Sequence, residues 1–395
     1  MSLRKGSLKV KSLHLGNRVA RRVREVPPSG IRRFFEMVIG MEDVLSLAVG
    51  EPDFATPWRV REAAIYSLER GDTSYTSNWG LLELREAIAR HMEEGYGATY
   101  DPKKEVLVTT GVSEGLDLTL RAVVEPGEEI LYPEPAYVSY GPNTVFAGGV
   151  PRSVVAEEHE GFVPRAEALD AAAAKGPVKA LLLNYPNNPT GAALGRREMA
   201  RIAEVAEDRD LLIISDEIYR DLTYDGKPLS MASFAPERTI VLGGFSKGQA
   251  MTGFRIGYAC GPAELIAGLA KIHQYTMLCA PITGQYAAIE ALAAEGETRE
   301  MVREYDRRRR FLMGAFREMD LPCAEPKGAF YAFPMVPGES SEKFAEGLLN
   351  QQKVAVVPGS AFGKSGEGHI RISYAVEMGT LREAVERIGK YVEGK

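Results

Sequence analysis

The sequence predicts an α/β protein, with a large domain built on a mostly parallel central sheet and a smaller α+β domain. From Pro57 onward, stretches with helical spacing of apolar residues alternate with short apolar runs, which is typical of βαβ units. These runs end in glycine, proline or polar turn residues, as buried strands do. The C-terminal part instead mixes short strands with helices, which indicates a second unit.

The first elements of the large domain show both the helical spacing of apolar residues and the short apolar runs of buried strands. Residues 81–92 place leucine, isoleucine and methionine on one face of a helix. Residues 105–111, EVLVTTG, predict a buried strand that runs into a glycine turn, and residues 114–127 predict the helix that follows. Residues 179–191 predict a further strand, KALLLN, which stops at the turn sequence YPNNPTG.

The remaining elements first continue the alternation of helices and strands, and beyond Gly261 successive helices replace it. A helix with Met199, Ile202, Ala203 and Ala206 on one face precedes the strands LLIISDEIY and TIVLGGFS. Beyond Gly261 we expect helices at residues 262–273, 281–294 and 297–319. The C-terminal part holds the strands AFYAFPMV, KVAVVPG and HIRISYA and helices near residues 341–350 and 379–391.

These changes divide the chain into three parts. We expect an N-terminal arm and part of the small domain in residues 1–50 and the large domain in residues 51–295. The small C-terminal α+β domain then takes residues 296–395.

Composition excludes several classes of protein. The chain has 395 residues, of which 45% are hydrophobic and 26% charged, and its formal net charge is −6. Such values exclude intrinsic disorder, collagen and a small disulfide scaffold. The apolar runs stay far below the roughly 18–20 residues that a membrane-spanning helix needs. We therefore expect neither a membrane nor a nucleic-acid partner.

Cysteine and histidine usage argues against a disulfide framework and against a metal site. Cys260, Cys279 and Cys323 are widely spaced and form no CxxC pair, which suits a reducing compartment, and we expect the cytoplasm. The histidines show no ligand spacing and are scattered over the sequence at His14, His91, His159, His273 and His369.

The N-terminus is basic although the chain as a whole is acidic. Before the first acid, Glu25, the basic residues are Arg4, Lys5, Lys9, Lys11, Arg18, Arg21, Arg22 and Arg24. Such a leader is compatible with a transit segment or a nucleic-acid arm. We favour a partly ordered arm with solvated charges.

One short motif resembles the nucleophile elbow of serine hydrolases. Residues 244–248, GFSKG, match the GxSxG pattern around Ser246 and follow a predicted strand. The elbow serine must open a helix, however, whereas the sequence that follows predicts a loop and then a strand. We therefore do not expect a hydrolase.

A second motif resembles a phosphate-binding Walker A loop. Residues 359–365, GSAFGKS, have three residues between the glycines where four are required. A turn and a strand come next, so no helix N-terminus is available for a phosphate. We discard this interpretation as well.

Polar residues that follow two buried strands are better candidates for chemistry. Asp216 ends the apolar run LLIIS, Tyr219 lies three residues further on, and Lys247 follows IVLGGFS. Open α/β sheets bind ligands at the carboxyl ends of their strands. Charged side chains are costly to bury there unless something pairs with them, so their joint placement predicts a site.

Longer motifs make the sequence similar to the class I pyridoxal-phosphate aminotransferases, the aspartate-aminotransferase-like family of fold type I. The motifs occur in the family's order from about residue 29 to the end, and they are LAVGEPDF, YTSNWGLLELREAIA, VTTGVSEGLDL, YPNNPTG, SDEIY, GGFSKGQAMTGFRIGY and HIRISY. The segments SGIRRFFEM, IHQYTMLCAP and VAVVPGSAFG resemble bacterial aromatic or N-acetyl-diaminopimelate aminotransferases in particular.

The resemblance implies that Lys247 forms a Schiff base with pyridoxal 5′-phosphate. That chemistry requires an amine able to be neutral near pH 7, which burial and a nearby cation such as Arg255 favour. The freed amine would then carry the proton from the substrate α-carbon. Asp216 would pair with the pyridine nitrogen and keep it protonated.

The same resemblance assigns the residues around the cofactor. Tyr219 and Asn188 would hydrogen-bond the phenolic oxygen of the ring, and Tyr137 would stack on its face. The phosphate would be held by Val112 and Ser113 at the start of the helix after Gly111. Ser246 and Arg255 would bind it as well, and Tyr75 would reach it from the partner subunit. The family therefore implies a homodimer with shared active sites.

Substrate binding is also implied by the resemblance. Arg371 would grip the α-carboxylate of the amino acid by a two-point fork, and Gly50 and Asn188 would assist. Between Ile370 and Ile372, strand alternation alone would instead place Arg371 on the surface.

The substrate side chain is less determined. Trp79, Phe34 and Phe35 belong to segments near the substrate in the family and favour an aromatic or large donor, although a tryptophan there also suits core packing. Aromatic, aspartate and N-acetyl-diaminopimelate donors stay open. A lyase or decarboxylase on the same scaffold would share every cofactor residue. A non-catalytic regulator would need a DNA-binding domain, for which we expect no room before the match.

Overall fold

The computed structural model describes residues 15–31, 41–338 and 340–394, and a seven-stranded sheet forms its centre. Phe34 and Phe35 lie outside the described residues. The strands are β1 (Leu45–Ser46), β2 (Val106–Thr109), β3 (Glu129–Glu134), β4 (Val150–Val155), β5 (Val178–Asn184), β6 (Leu212–Asp216), β7 (Thr239–Gly244), β8 (Gly257–Cys260), β9 (Tyr331–Ala332), β10 (Val354–Ala355), β11 (Val357–Pro358) and β12 (Ile370–Ser373).

Helices pack around these strands along the described chain. They are α1 (Arg21–Glu25), α2 (Trp58–Glu69), α3 (Leu82–Tyr96), α4 (Gly111–Val123), α5 (Tyr140–Ala147), α6 (Ala166–Ala173), α7 (Arg196–Asp208), α8 (Ala263–Thr276), α9 (Ile282–Ala293), α10 (Glu295–Glu318), α11 (Ser341–Gln352) and α12 (Met378–Glu393). In the part of the chain that the structure describes, no helix is both long enough and apolar enough to cross a membrane.

The central sheet has the order β2-β8-β7-β6-β5-β3-β4. Its neighbours pair in parallel except β8, which runs antiparallel to both β2 and β7. The register sets Asn184 opposite Asp216, the last residues of β5 and β6. The predicted, mostly parallel sheet is therefore confirmed, and polar residues that end neighbouring strands meet at one edge.

Both faces of the sheet are covered, as a largely parallel sheet requires. On β5, Leu181 and Leu183 pack in one hydrophobic cluster, whereas Ala180 and Leu182 pack in a second cluster on the other face. Successive side chains of a strand point to opposite faces, so a continuous apolar run supplies both layers. Such burial leaves only the strand ends free to bind a ligand.

The C-terminal part forms small sheets of its own. Strands β11, β12 and β9 make an antiparallel sheet, and β10 pairs in parallel with β1. The pairing of Leu45 with Val354 joins the N-terminal segment to this part, in line with its assignment to the small domain. The boundaries at residues 50 and 295 stay a prediction.

The structure shows how the N-terminal arm and the two short motifs, residues 244–248 and 359–365, are folded. In the described part of the arm, Arg18, Arg21, Arg22 and Arg24 are all exposed. Turns and a short 3-10 helix, Thr252–Phe254, follow Ser246, so no helix begins there as an elbow needs. Residues 359–366 form two 3-10 turns that lead into β12.

Gly257 lies where β8 touches the beginning of α4. A Cβ atom added to Gly257 would come within 2.6 Å of the Gly111 carbonyl carbon and 2.7 Å of the Val112 nitrogen. Contacts this short are with backbone atoms, so they cannot be relieved by a side-chain rotation. The glycine therefore lets the strand support the helix start at van der Waals contact.

We expect Gly257→Ala to lower the free energy of unfolding by about 1–3 kcal/mol, because overpacking forces the strand and the helix apart. Urea denaturation measures the change. Gly314→Ala in α10 is the matched control, since nothing lies within 4 Å of its added Cβ atom. Alanine at that helical position should leave stability unchanged or raise it by about 1 kcal/mol. Equal losses in both variants would contradict the prediction.

Candidate active site

A cavity of about 430 Å³ lies at the carboxyl edge of the central sheet. All predicted site residues except Tyr75 contribute to its wall. The lining residues are Ile31, Val49, Gly50, Glu51, Val112, Ser113, Leu116, Tyr137, Tyr140, Asn184, Asn188, Asp216, Ile218, Tyr219, Ser246, Lys247, Thr252, Arg255, Tyr331 and Arg371. One site therefore gathers segments that are spread over most of the sequence.

Asp216, the last residue of β6, is a buried carboxyl group with fixed partners. The Tyr140 hydroxyl donates to its Oδ2 at 2.8 Å, and the Ile218 backbone N–H donates to its Oδ1 at 3.2 Å. Burial raises the pKa of Asp216 to about 6, although both hydrogen bonds oppose the rise. A cationic group in the cavity would stabilise the carboxylate, so the site suits a protonated nitrogen at this position.

Lys247 lies three residues beyond the end of β7 and reaches the cavity from the neighbouring strand. Its Nζ donates to the backbone oxygen of Gly50. Burial and the charges of Arg371 and Arg255 together lower the pKa of Lys247 to about 8, against the opposing effect of Glu51 and Asp216. A substantial fraction of the amine is therefore neutral, and nucleophilic, near physiological pH.

The start of α4 offers a site for an anion. Gly111 has a φ of 75°, and an added Cβ atom would come within 2.7 Å of Arg255 Nη2. Val112 and Ser113, in the first turn of the helix, line the cavity together with Arg255 and Ser246. Helix N-termini favour negative charge, so these groups together suit a phosphate.

Tyrosines form a further part of the cavity wall. The hydroxyl groups of Tyr219 and Tyr331 are 2.7 Å apart, and burial holds the pKa of Tyr219 well above its usual range. Tyr219 therefore stays a neutral hydroxyl that can donate a hydrogen bond. Tyr137 lines the wall, with its ring edge-on to that of Tyr140 at 5.6 Å.

Arg371 is buried, so strand alternation gave the wrong expectation for it. All four residues of β12 are buried because both faces of this small sheet are covered. Its Nη1 donates to Asn188 Oδ1 at 2.9 Å, and its Nη2 donates to the backbone oxygen of Ala48 at 2.6 Å. Its Nε has no hydrogen-bond partner although it is buried. An unsatisfied guanidinium N–H is costly, and a carboxylate in the cavity would satisfy it.

The resemblance did not single out several of the lining residues. Asn184 ends β5, so the strand-end rule could have found it; its Nδ2 donates to the backbone oxygen of Asp216 at 3.0 Å. Tyr140 and Tyr331 carry no local signal, since they meet Asp216 and Tyr219 only through the fold.

Two residues named from the sequence lie away from the cavity wall of the single chain. Trp79 packs against the hydrophobic cluster that includes Leu107 and Leu116, so core packing is its observed role. Tyr75 is 81% exposed and lies outside the cavity, where a neighbouring subunit would find it accessible.

We expect Tyr140→Phe to raise the pKa of Asp216 above about 6, because the carboxylate loses a hydrogen bond that stabilises its charged form. A hydrogen bond to a charged group contributes about 1.5–3 kcal/mol, which corresponds to about one or two pH units. Infrared titration of the carboxyl band in cofactor-free protein, assigned with Asp216→Asn, measures the midpoint. Tyr185→Phe is the control, since its hydroxyl donates to Phe162 instead. An unchanged midpoint in Tyr140→Phe would contradict the prediction.

Comparison with known proteins agrees with this geometry. The family described as aminotransferase class I and II matches residues 42–388. The aspartate aminotransferase of Pyrococcus abyssi is 44% identical over 378 residues, 94% of this chain and 97% of that protein. The aromatic-amino-acid aminotransferase 2 of Thermococcus litoralis is 41% identical over 382 residues, 95% of this chain and 98% of that protein. The crystal structure of the aromatic aminotransferase from Pyrococcus horikoshii OT3 aligns with a TM-score of 0.87 at 42% identity, over 92% of this chain and 99% of that one. The predicted resemblance and fold class are confirmed, and the chain belongs to the class I and II aminotransferase family.

Proposed function

We propose that this aminotransferase binds pyridoxal 5′-phosphate through Lys247 and moves the amino group of an L-amino acid to a 2-oxo acid in two half-reactions. The observation that carries the proposal is the pairing, in one cavity, of a buried carboxyl of pKa about 6 with an amine of pKa about 8. The anion site at the start of α4 lies in the same cavity.

The residues present fit this cofactor at each of its polar groups. Bound pyridoxal phosphate supplies an electron sink for the pair of electrons left when the substrate α-carbon loses its proton. Asp216 holds a proton on the ring nitrogen by remaining a carboxylate beside it. The Tyr219 hydroxyl donates to the phenolic oxygen, and Asn188 has its Nδ2 available because its Oδ1 accepts from Arg371.

The phosphate is assigned to the anion site. The amides of Val112 and Ser113 and the Ser246 hydroxyl would donate to its oxygens, and the Arg255 guanidinium would balance its charge. The missing Cβ of Gly111 leaves room for Arg255 beside the helix start.

Lys247 has two tasks in this proposal. Its neutral amine holds the cofactor while no substrate is bound, and the amine becomes free when the substrate takes its place. Lys247 Nζ would then accept the proton from the substrate α-carbon as a general base and deliver it to the former aldehyde carbon of the cofactor as a general acid. A pKa of about 8 serves both directions, since neither protonation state is rare near physiological pH.

Arg371 orients the amino acid by its α-carboxylate. The guanidinium lies over the Tyr331 ring, 4.5 Å from its centroid, and Asn188 and Ala48 hold two of its nitrogens. These contacts preorganise the fork before substrate arrives. The Gly50 amide is assigned to the same carboxylate.

The donor we favour has an aromatic or otherwise large apolar side chain. Among the described lining residues the cations are Lys247, Arg255 and Arg371, and each already has a proposed task. Apolar surface comes from Ile31 and Val49, next to the tyrosines of the wall. Aspartate and N-acetyl-diaminopimelate remain the alternative donors. The Pyrococcus abyssi relative is named an aspartate aminotransferase.

We also propose a homodimer with shared active sites. Large hydrophobic side chains stand exposed in the described chain, among them Trp58 at 59%, Tyr75 at 81% and Tyr275 at 84%. Aromatic side chains are enriched in surfaces that a second subunit covers. Tyr75 of each subunit is proposed to reach the phosphate of the other.

A cytoplasmic location is part of the same proposal. Cys260, Cys279 and Cys323 are free thiols. Burial raises the pKa of Cys323 to about 12, which keeps it in the unreactive thiol form. A reducing compartment suits this set.

We expect Lys247→Ala to lose covalently held cofactor and to lower kcat by at least about 10²-fold, because the general base is removed. The measurement is glutamate formed from 2-oxoglutarate with aromatic, aspartyl and acetylated-diamine donors, together with the visible absorbance of the bound cofactor. Lys103→Ala, at an exposed lysine, is the control. A Lys247→Ala enzyme with wild-type absorbance and turnover would exclude the proposal.

We expect Arg371→Ala to raise KM for the amino acid by about 10- to 100-fold, since a charge-assisted hydrogen bond to a carboxylate is lost. Cofactor retention on gel filtration should change little, because the ring and phosphate contacts remain. Arg371→Lys keeps the positive charge but not the two-point geometry of the guanidinium, and its KM should lie between those of the wild type and of Arg371→Ala. Equal losses of substrate and cofactor binding in Arg371→Ala would show a structural role instead.

A further inference from the structure

We propose that Arg220 is a positioning residue that fixes Lys247 relative to Asp216 through two carboxylates, the buried Glu217 and the partly buried Asp221. This inference rests on the proposed function, because it concerns the alignment of the two groups that act on the cofactor. Arg220 is 2% exposed and does not line the cavity. It has no contact with the reacting groups themselves, and its effect passes through its two acidic neighbours.

The Arg220 guanidinium joins elements that come from distant parts of the chain. Its Nη1 donates to Glu217 Oε2 at 2.7 Å, and its Nη2 donates to the Tyr258 hydroxyl of β8 at 3.0 Å. The Cζ atom of Arg220 lies 3.8 Å from the centroid of the Tyr96 ring, at the end of α3. The turn after β6 is thereby attached to two neighbouring elements at a single cation.

Glu217 secures the turn that carries Asp216. Besides Arg220, its carboxylate accepts from the hydroxyls of Ser215 and Ser230, both at 2.9 Å, and from the Met231 N–H at 3.0 Å. These four donors satisfy a carboxylate that is only 4% exposed. A group this fully bonded cannot move without breaking several hydrogen bonds, so the adjacent Asp216 is held with it.

Asp221 secures the loop that carries Lys247. The amide of Gln249, two residues after the lysine, donates to Asp221 Oδ2 at 2.8 Å. Gly248 brings the two segments close, because an added Cβ atom would lie 3.0 Å from the Asp221 Cβ atom. The Tyr96 hydroxyl donates to the other carboxylate oxygen at 2.9 Å. The lysine loop and the Asp216 turn therefore share one partly buried anchor, Asp221.

Arg220 is what keeps that anchor charged. Burial opposes ionisation of Asp221, yet the charges of Arg220 and His91 and the hydrogen bonds from Gln249 and Tyr96 hold its pKa below the usual range. The Arg220 Nε lies 3.8 Å from Asp221 Oδ1. Without the guanidinium, Glu217 and Asp221 would lose the cation that they share, and the turn would have to shift or take up protons.

The test compares three purified holoenzymes with the wild type. Gln249→Leu cuts only the connection to the lysine loop, and Arg220→Lys keeps the charge but cannot reach Glu217 and Tyr258 together. We expect each to lower kcat by about 10-fold or more while KM for the amino acid stays within about 2-fold, since Arg371 is untouched. The double variant should be no slower than the slower single variant, because both changes break one connection.

Arg309→Lys controls for the general cost of altering a buried arginine. Arg309 is 3% exposed, bonds Asp306 and the backbone of Pro326, and lies away from the cavity. We expect it to lower Tm as much as Arg220→Lys does, with kcat per folded enzyme unchanged. A kcat loss in Arg220→Lys that only matches the control, or a KM rise equal to the kcat loss, would overturn the positioning role.

A swap of the two partners adds a readout that does not depend on stability. Gln249→Glu places a carboxylate against Asp221 and should lower kcat, and adding Asp221→Asn should recover at least half of the loss by restoring an amide-to-carboxylate hydrogen bond. Failure of the swap to recover kcat, with Tm restored, would also overturn the role. A wild type with Lys247-dependent transfer and unaffected variants overturns the positioning role alone, whereas a wild type without such transfer overturns both proposals.

Discussion

The burial of Asp216 and Lys247 in one cavity is the constraint on which the rest of the site depends. Burial disfavours the charged form of each group, so the pKa of the acid rises to about 6 and that of the amine falls to about 8. In water the amine would be almost entirely protonated at pH 7 and would be no nucleophile. The same burial makes a carboxylate in the cavity seek a cationic partner. The lowered pKa of the amine serves the proposed chemistry directly, and a cationic group beside Asp216 would restore its carboxylate form.

The sheet topology creates that enclosure and places the phosphate site beside it. Strands β5, β6 and β7 run in parallel, so Asn184, Asp216 and the loop of Lys247 emerge at one edge. Strand β8 returns antiparallel between β7 and β2, and the loop before it brings Arg255 to the start of α4. The glycine contact between Gly257 and the helix start makes this approach possible. Anion site, amine and acid are therefore consequences of one strand order.

Prediction from the sequence succeeded where the signal was local and stopped where it was not. The helices and strands of the large domain follow from apolar spacing, and polar residues after buried strands marked the site. For Arg371, alternation on a short strand predicted exposure, because the rule assumes that one face of the sheet meets water. Both faces of β12 are covered, so the rule failed there. The contact of Tyr140 with Asp216, 76 residues apart, carries no local pattern at all.

The sequence by itself therefore determined the order of elements, the family and many of the residues that line the cavity, because these are written in short-range spacing and in motifs. Only the tertiary structure decided which distant groups meet. Lys247 donates a hydrogen bond to the backbone of Gly50, 197 residues away in the sequence. Arg371 donates one to Asn188, 183 residues away. Such contacts arise from strand register and close packing of the whole chain, which no single segment encodes.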